Sequence, residues 1–310
     1  MKGIVIKSTG SWYKIRQEDH SVLDARIKGK IRLRDIDTTN PVAVGDVVYY
    51  EFENSGDVQN GVIIELEKRH NYIIRKSNKL SKQGQIIAAN IDLAILVVTL
   101  SNPRTSLGFI DRFLVMAGAY HIPVALVFNK CDIYTQEDKE NYDYLQMVYT
   151  HLGFTCILSS TVVDEFNPQK QILPIIAGKK VLISGHSGVG KSSILNQLIP
   201  TAIQKVEKIS DIHQKGKHTT TFAEMFFLDD DTGLIDKPGI RHCGSIDLDE
   251  AEIGHYFPEI RALMPQCKFN NCKHLNEPDC AVIKAYEESR IAPERYESYL
   301  SILRNEDMYS

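Results

Sequence analysis

The sequence has little net charge, few cysteines and no long hydrophobic run. Its 36 Lys and Arg residues against 40 Asp and Glu give a net charge of -4 and a pI near 6.2, which exclude a uniformly basic nucleic-acid binder. It has neither a signal-peptide pattern nor an apolar run of transmembrane length. We therefore expect a cytoplasmic protein with no membrane partner, in which clustered cysteines bind metal. Its 310 residues are enough for two or three domains.

Residues 185–192 have the spacing G-x-x-x-x-G-K-S, which is typical of a phosphate-binding loop. An apolar strand pattern precedes them and a helical pattern follows, as a P-loop requires. Main-chain N–H groups and the helix N-terminus of such a loop bind polyphosphate. We expect Lys191 to contact the β- and γ-phosphates and Ser192 to bind Mg²⁺; the alternative is a glycine turn that binds nothing. The predicted nucleotide-binding residues here are Gly185, His186, Ser187, Gly188, Val189, Gly190, Lys191, Ser192 and Ser193.

A second motif, N-K-x-D, follows the buried-strand pattern of residues 124–128. It consists of Asn129, Lys130, Cys131 and Asp132. A carboxylate accepts two hydrogen bonds from N1–H and the exocyclic amine of guanine, so Asp132 is predicted to select the base. Asn129 is expected to hold the loop and the ring edge, and the stem of Lys130 to lie over the purine. Alone these residues also fit an ordinary turn; beside a P-loop they predict a GTP site.

The two motifs occur in the reverse of the usual GTPase order, since N-K-x-D precedes the P-loop. Parallel strands present their carboxyl ends at one edge of a sheet, so a circular permutation preserves the pocket. The alternating strand and helix patterns of this region predict a parallel α/β sheet. After its third strand pattern, Ser159 and Ser160 lie where a main-chain contact to guanine is expected, although an ordinary polar turn fits equally.

The polar residues 215–221 fit a first switch segment. We expect Thr220 to complete the Mg²⁺ shell. His218 is predicted to be the catalytic group, with a contact to a partner as its alternative role.

Residues 236–239 read D-x-x-G after a strand pattern and fit a second switch. Asp236 is expected to hold Mg²⁺ through water, and the Gly239 N–H to contact the γ-phosphate. The next residue is Ile240, so the glutamine that orients water in Ras-like enzymes is missing from its usual place. Hydrolysis must therefore use another group.

Short strand patterns separated by turns fill residues 1–67 and predict a small OB-type barrel. One of them, residues 27–33, lies within a run of alternating cations, which a strand places on one face. We expect this face to bind RNA backbone; an ordinary solvated face is the alternative. Residues 68–85 follow as a basic linker, either a flexible joint or a continuation of the basic patch. The predicted RNA-binding residues are Arg26, Lys28, Lys30, Arg32 and Arg34.

Residues 246–310 combine a cysteine cluster with helical patterns. Three thiolates and one imidazole within fourteen positions match a closed tetrahedral site, so we predict one structural Zn²⁺ per chain. The alternative is free surface thiols beside an ordinary histidine. The predicted ligands are Cys267, Cys272, His274 and Cys280.

This ordered set of motifs resembles the bacterial ribosome small-subunit-dependent GTPase A family (RsgA, also called YjeQ or YloQ). The resemblance covers nearly the whole chain. It implies an OB fold, a circularly permuted G domain and a zinc domain, acting in late maturation of the small ribosomal subunit with GTP hydrolysis stimulated by that particle. The sequence departs from the family twice, with Lys237 in place of the usual threonine of D-T-P-G and Lys217 in place of a common arginine.

We therefore predict a multi-domain chain: a small all-β OB-type barrel (1–67), a basic linker (68–85), an α/β circularly permuted P-loop GTPase domain (86–245) and a helical zinc-binding domain (246–310). The predicted function is a monomeric GTPase that converts GTP to GDP with Mg²⁺ and binds the small (30S) ribosomal subunit and its rRNA. The basic strand favours this function. The acidic carboxyl-terminal region favours the alternative, a guanine-nucleotide-controlled adaptor with a protein partner.

Overall fold

A computed structural model describes residues 1–27, 41–55, 58–76, 84–199, 223–236 and 248–305. Within these ranges no helix is long and apolar enough to cross a bilayer. The predicted site residues that lie outside the described residues are Lys28, Lys30, Arg32, Arg34, His218, Thr220 and Gly239.

The amino-terminal residues form a closed five-stranded barrel. Its strands are β1 (Lys2–Ser8), β2 (Tyr13–Gln17), β3 (Val22–Ile27), β4 (Val47–Ser55) and β5 (Val58–Leu66). They pair in the order β1-β2-β3-β5-β4, and β4 pairs back with β1. Alternate side chains point inward, so that Val5, Tyr13, Ile15 and Val48 are buried in the barrel core. This closure confirms the predicted barrel.

The third strand begins earlier in the chain than the sequence pattern indicated. The sequence predicts a strand over residues 27–33; β3 covers Val22–Ile27 with Leu23 and Ala25 facing the core, and residues 28–33 lie outside the described residues. Arg26 lies on the outer face, where its Nε donates to Glu53 Oε2 at 3.0 Å. The first cation of the predicted RNA-binding row is therefore exposed but ion-paired.

The described part of the predicted linker packs against its neighbours. Tyr72–Lys76 (β6) and Gly84–Ala89 (β7) form a two-stranded antiparallel sheet, and Ile73 is fully buried. Arg69 is a cation of the predicted basic linker, but its side chain is buried and donates to both carboxylate oxygens of Asp46, each at 2.6 Å. Arg69 is therefore not part of a basic surface, because its charge is neutralised inside the protein.

The middle of the chain forms an α/β layer built on a parallel sheet. Its elements are β8 (Leu93–Val98), α1 (Leu107–Ala119), β9 (Val124–Phe128), α2 (Gln136–His151), β10 (Thr155–Leu158), α3 (Pro168–Gln171), α4 (Leu173–Ile176), β11 (Lys180–Ser184), α5 (Lys191–Leu198), β12 (Glu224–Phe227) and β13 (Gly233–Asp236). The strand order is β10-β9-β8-β11-β13-β12, with the first five parallel. Apolar clusters cover both faces, which is why all six residues of β8 are buried.

The barrel joins this sheet through its first strand. Lys7 of β1 lies opposite Glu224 of the antiparallel edge strand β12, and their side chains form an ion pair of 2.9 Å. Arg16 of β2 donates to the Asp230 main-chain oxygen at 2.8 Å and lies over the ring of Phe227. Barrel and α/β layer thus share one hydrogen-bonded sheet of eleven strands.

The carboxyl-terminal residues form a small helical unit with its own core. Its helices are α6 (Glu250–Ile253), α7 (Pro258–Leu263), α8 (Ala281–Glu287) and α9 (Pro293–Leu303). Phe257, Ile260 and Val282 are fully buried between them, and Val115 of α1 belongs to the same cluster. Helix α1 is therefore shared between the α/β layer and the helical unit.

A buried ion pair fastens the helical unit to the α/β layer. Arg295 of α9, only 1% exposed, pairs with the fully buried Asp111 of α1, and its Nε donates to Glu259 Oε1 at 2.7 Å. Tyr149 of α2 donates its hydroxyl to Asp111 Oδ1 at 2.8 Å. Burial opposes the charge of Arg295, but Asp111 and Glu259 outweigh it and raise the pKa of the guanidinium. The interior contact between α9 and α1 is therefore made by paired charges and hydrogen bonds rather than by apolar side chains.

Candidate functional site

The predicted nucleotide-binding groups lie at one edge of the parallel sheet. Strand β9 ends directly before Asn129, β10 before Ser159 and β11 before Gly185. Asp236 is the last residue of β13, and its register partner on β11 is Ile183. Because all these strands run parallel, their carboxyl ends bring the four segments together despite their separation in the chain.

The loop of residues 185–190 has the backbone geometry that a P-loop needs. Its glycines have positive φ angles, and a Cβ added at Gly190 would lie 2.3 Å from Asn129 Nδ2. Only glycine fits that position, since a side chain would collide with the neighbouring motif. The Nζ of Lys191 donates to the main-chain oxygen of Gly185 at 2.8 Å and to that of His186, which folds the lysine over its own loop.

Asn129 connects the base-recognition motif to the P-loop. Its side chain is 1% exposed, and Nδ2 donates to the main-chain oxygen of Val189 at 2.8 Å. Tyr134 donates its hydroxyl to the Asn129 main-chain oxygen at 3.1 Å. The sequence predicted that Asn129 would hold its loop, and the hydrogen bond shows which segment it holds. Among the described residues, Asn129 Oδ1 has no partner.

The side chain of Asp132 is held by the loop that follows β10. Ser160 Oγ donates to Asp132 Oδ1 at 2.6 Å and accepts hydrogen bonds from the N–H groups of Val162 and Val163 at 3.1 and 3.2 Å. Cys131 N–H donates to the Ser159 main-chain oxygen at 3.2 Å. The sequence predicts a main-chain contact to guanine at Ser159 and Ser160, with an ordinary polar turn as the alternative. The structure adds a side-chain role that sequence reasoning missed, since Ser160 orients the carboxylate that would read the base.

Two residues predicted to bind Mg²⁺ are described, and both lie at this edge. Ser192 is exposed in the first turn of α5, directly after Lys191. Asp236 ends β13 beside the strand that leads into the P-loop. A hydroxyl and a carboxylate are the oxygen ligands that Mg²⁺ prefers, directly or through water. Together they fit a metal-assisted nucleotide site.

A separate cluster in the helical unit has the donor set of a metal site. The Nδ1 of His274 lies 3.3 Å from Cys280 Sγ and 3.7 Å from Cys267 Sγ, and the two sulfurs are 3.9 Å apart. All four candidate ligand atoms, including that of Cys272, lie within 4.8 Å of one another. A tetrahedral zinc with Zn–S bonds of about 2.3 Å places two sulfurs about 3.8 Å apart, so the side chains fit such an ion.

The surroundings of the cluster also fit a cation. Burial, with the neighbouring thiols, raises the pKa of Cys272 to about 12, and a bound dication reverses that effect because it binds the thiolate. Tyr296 and Tyr299 of α9 donate their hydroxyls to the main-chain oxygens of His274 and Lys273, at 2.6 and 2.8 Å. The cluster could therefore hold a metal ion in a loop that α9 keeps in place.

The fold and the site define a class of protein. A P-loop, an N-K-x-D motif bonded to it and a D-x-x-G aspartate occupy one edge of a parallel sheet, in an order that starts from the base-recognition half. This is a circularly permuted P-loop GTPase with a barrel before it and, after it, a helical unit whose Cys/His cluster could hold a metal ion.

Comparisons with known proteins agree with this class. A family model described as RsgA GTPase matches residues 66–246, and one described as RsgA N-terminal domain matches residues 2–63. A relative from Bacteroides thetaiotaomicron named small ribosomal subunit biogenesis GTPase RsgA 2 is 48% identical over 307 residues, covering 99% of this chain and 97% of its own. A Flavobacterium johnsoniae relative named small ribosomal subunit biogenesis GTPase RsgA is 47% identical over 308 residues, covering 99% and 94%.

Solved structures give the same result. YjeQ from Thermotoga maritima matches with a TM-score of 0.77 at 30% identity, covering 98% of this chain and 97% of that one. YloQ, described as a circularly permuted GTPase, matches with a TM-score of 0.73 at 28% identity, covering 98% and 94%. The chain belongs to the RsgA family of GTP-hydrolysing enzymes.

Proposed function

We propose that this protein is a GTPase that acts in biogenesis of the small ribosomal subunit. The observation that carries the nucleotide assignment is the hydrogen bond from Asn129 to the P-loop at Val189, because it joins a guanine-reading motif to a phosphate-binding loop. The names of the family and of its relatives support both the reaction and the ribosomal role. A cytoplasmic location and a monomeric state accord with that role.

Individual roles follow from the chemistry of the side chains. Asp132, oriented by Ser160, accepts two hydrogen bonds from guanine, and the P-loop amides with Lys191 bind the phosphates. Ser192 and Thr220 bind Mg²⁺, Asp236 holds it through water, and the Gly239 N–H contacts the γ-phosphate. These assignments are supported by the positions of the described members at one sheet edge.

The metal in the helical unit is proposed to be zinc. Three thiolates with one imidazole select Zn²⁺ among abundant divalent ions, and four protein ligands leave no open position for catalysis. The ion therefore has a structural role.

Contact with ribosomal RNA is assigned to the barrel. The proposal rests on the alternating cations that continue from Arg26 through Lys28, Lys30, Arg32 and Arg34. Replacing Lys28, Lys30 and Arg32 by Ala is expected to reduce stimulation by the ribosomal particle, and its salt sensitivity, while leaving the basal hydrolysis rate unchanged.

The deciding experiment measures GTP hydrolysis with and without purified small ribosomal subunits. Because Ile240 cannot orient water, we expect a slow basal rate that rises about tenfold or more with small subunits and not with large ones. His218→Ala is expected to lower the stimulated rate with GTP affinity retained. A rate that small subunits leave unchanged would contradict the proposal and favour an adaptor with a protein partner.

A further inference from the structure

Residues 99–106 join β8 to α1 and, together with residues 107–109 in the first turn of α1, form a segment between the two halves of the nucleotide site. In the sheet, β8 lies between β9, which leads to N-K-x-D, and β11, which leads to the P-loop. We propose that this segment, through Asn102, Pro103 and Phe109, positions the P-loop and the N-K-x-D lysine for nucleotide binding. The inference rests on the proposed function, because it concerns the same nucleotide site.

The segment has a shape of its own. Thr99 and Thr105 are buried and bonded to each other: the N–H of Thr105 donates to the Thr99 main-chain oxygen at 2.8 Å, and the N–H of Thr99 donates to Thr105 Oγ1 at 3.1 Å. The Thr99 hydroxyl donates to the Pro103 main-chain oxygen. Residues 100–104 are thus closed into a short loop by their own hydrogen bonds, without help from a ligand.

One contact of the segment is with the base-recognition half. Lys130 Nζ donates to the main-chain oxygen of Asn102 at 2.7 Å, and Lys130 itself has a left-handed backbone with φ of 62°. A long lysine side chain loses rotamer freedom when it binds. Because its head group is already bonded, the stem of Lys130 is ordered before a base arrives, which lowers the entropy cost of binding.

The other contacts are with the phosphate half. The ring of Phe109 lies against the ring of His186 with centroids 3.7 Å apart and an interplanar angle of 34°. The ring of Pro103 lies beside Gly188, where a Cβ would be 3.4 Å from Pro103 Cδ. A glycine-rich loop has little stiffness of its own, and its amides bind phosphate only when they point inward. The contacts of Phe109 and Pro103 with the loop therefore favour the loop conformation that binds phosphate.

Phe109 is held in place because α1 is bonded to two neighbouring elements. Phe109 is 8% exposed and lies two residues before Asp111, which is fully buried. Asp111 accepts from Tyr149 at 2.8 Å and pairs with Arg295 of the helical unit. Phe109 is thus a positioning residue, because the first turns of its helix are bonded to α2 through Tyr149 and to α9 through Arg295.

The test compares Phe109→Leu with Phe113→Leu in the full-length chain. Phe113 lies one turn further along α1, is 4% exposed and packs in the same core, but no ring contact joins it to the P-loop among the described residues. With a fluorescent GDP analogue as probe, we expect Phe109→Leu to weaken GDP about three- to tenfold, the range of one aromatic pair, and Phe113→Leu less than twofold. GMP, which lacks the β-phosphate, is expected to bind both variants alike.

A double-mutant cycle with His186→Ala shows whether the effect passes through the ring contact. In that background Phe109→Leu is expected to change GDP affinity less than twofold. Phe109→Met, which keeps an unbranched, flexible apolar side chain but not the ring, replaces Phe109→Leu if the latter unfolds on heating earlier than Phe113→Leu. Wild-type affinity for GDP in both Phe109 variants, or equal losses for GDP and GMP, would overturn the positioning role. A wild-type chain that binds no GDP would overturn the proposed function as well.

Discussion

Among single residues, Asp132 is the one proposed to select the nucleotide base. Asp132→Asn leaves one acceptor for the guanine N1–H but places an amide donor against the exocyclic amine, so that bond is lost, whereas the same donor can bond to the 2-carbonyl of xanthine. We expect GTP affinity to fall about 100-fold and XTP affinity to rise, as measured by competition against a labelled nucleotide.

Asp143→Asn is a suitable control for this substitution. Asp143 is an exposed acid of α2, eleven positions further along the chain, and its change alters charge equally without entering the site. GTP affinity that is the same in both variants would show that Asp132 does not read the base.

The sequence predicted which motifs meet, but not every contact between them. Asn129 and Lys191 are recognisable because their motifs are short and continuous. Phe109 and Asn102 contact the same site only because β8 lies between β9 and β11, and strand order cannot be read from periodicity. The role of Ser160 depends on a loop conformation that its residue type does not determine.

At the level of elements, α2 begins with a capping box directly after the N-K-x-D loop. Thr135 Oγ1 accepts from Asp138 N–H at 3.1 Å, and the Asp138 carboxylate accepts from Thr135 N–H at 3.0 Å. These bonds from Thr135 hold the pKa of Asp138 below its usual range. Thr135→Ala is expected to lower the free energy of unfolding by about 1 kcal/mol, as measured by urea denaturation.

The same cap predicts a pH dependence. Because the folded pKa of Asp138 is depressed, its contribution is present above the unfolded pKa and disappears as pH falls through the folded one. The stability difference between wild type and Asp138→Asn should therefore be constant from about pH 5 to 8 and shrink only below about pH 4. If the stability difference shrinks already near neutral pH, the pH dependence belongs to a titratable group other than Asp138.

The metal loop gives a prediction about the helical unit. Metal analysis of native protein should find one zinc per chain, and Cys272→Ser should destabilise the helical unit while nucleotide affinity stays close to that of wild type. Ser301→Ala, a buried change on α9 outside the cluster, controls for general damage to this unit. Native protein that contains no zinc would refute the assignment.

Elements with continuous apolar runs were the easiest to predict, and some with mixed patterns were missed or misplaced. The runs of β8 and β9 are buried on both faces, so hydrophobicity alone identified them. In β3 the charged residues Asp24 and Arg26 alternate with apolar ones, and the β6–β7 pair lies in a cation-rich stretch. Neither composition is typical of a buried strand, so the sequence did not identify these elements. The burial of Arg69 depends on Asp46, a partner 23 residues away that no local pattern reveals.

At the scale of the whole molecule, Arg295 is a buried charged contact between the helical unit and the α/β layer. Arg295→Met would leave Asp111 buried without its counter-charge, which costs about 3–5 kcal/mol of stability. Arg290→Met, which removes an exposed pair with Glu288, should cost less than about 1 kcal/mol. Urea denaturation of both variants checks the difference, and equal small effects would mean that the buried pair does not hold the units together.

The permuted strand order also constrains how the chain folds as it is synthesised. Strand β8 must wait for β11: Asp92, just before β8, accepts a hydrogen bond from the N–H of Lys180, 88 residues later. Synthesis runs from amino to carboxyl end, so the base-reading loop leaves the ribosome well before the phosphate loop and Asp236. Nucleotide can therefore stabilise only the last stage of folding, and pairing over so long a separation makes that stage slow. Until β11 is synthesised, the edge of β8 that it will occupy has no partner, and an unpaired apolar strand edge is a site at which nascent chains can aggregate.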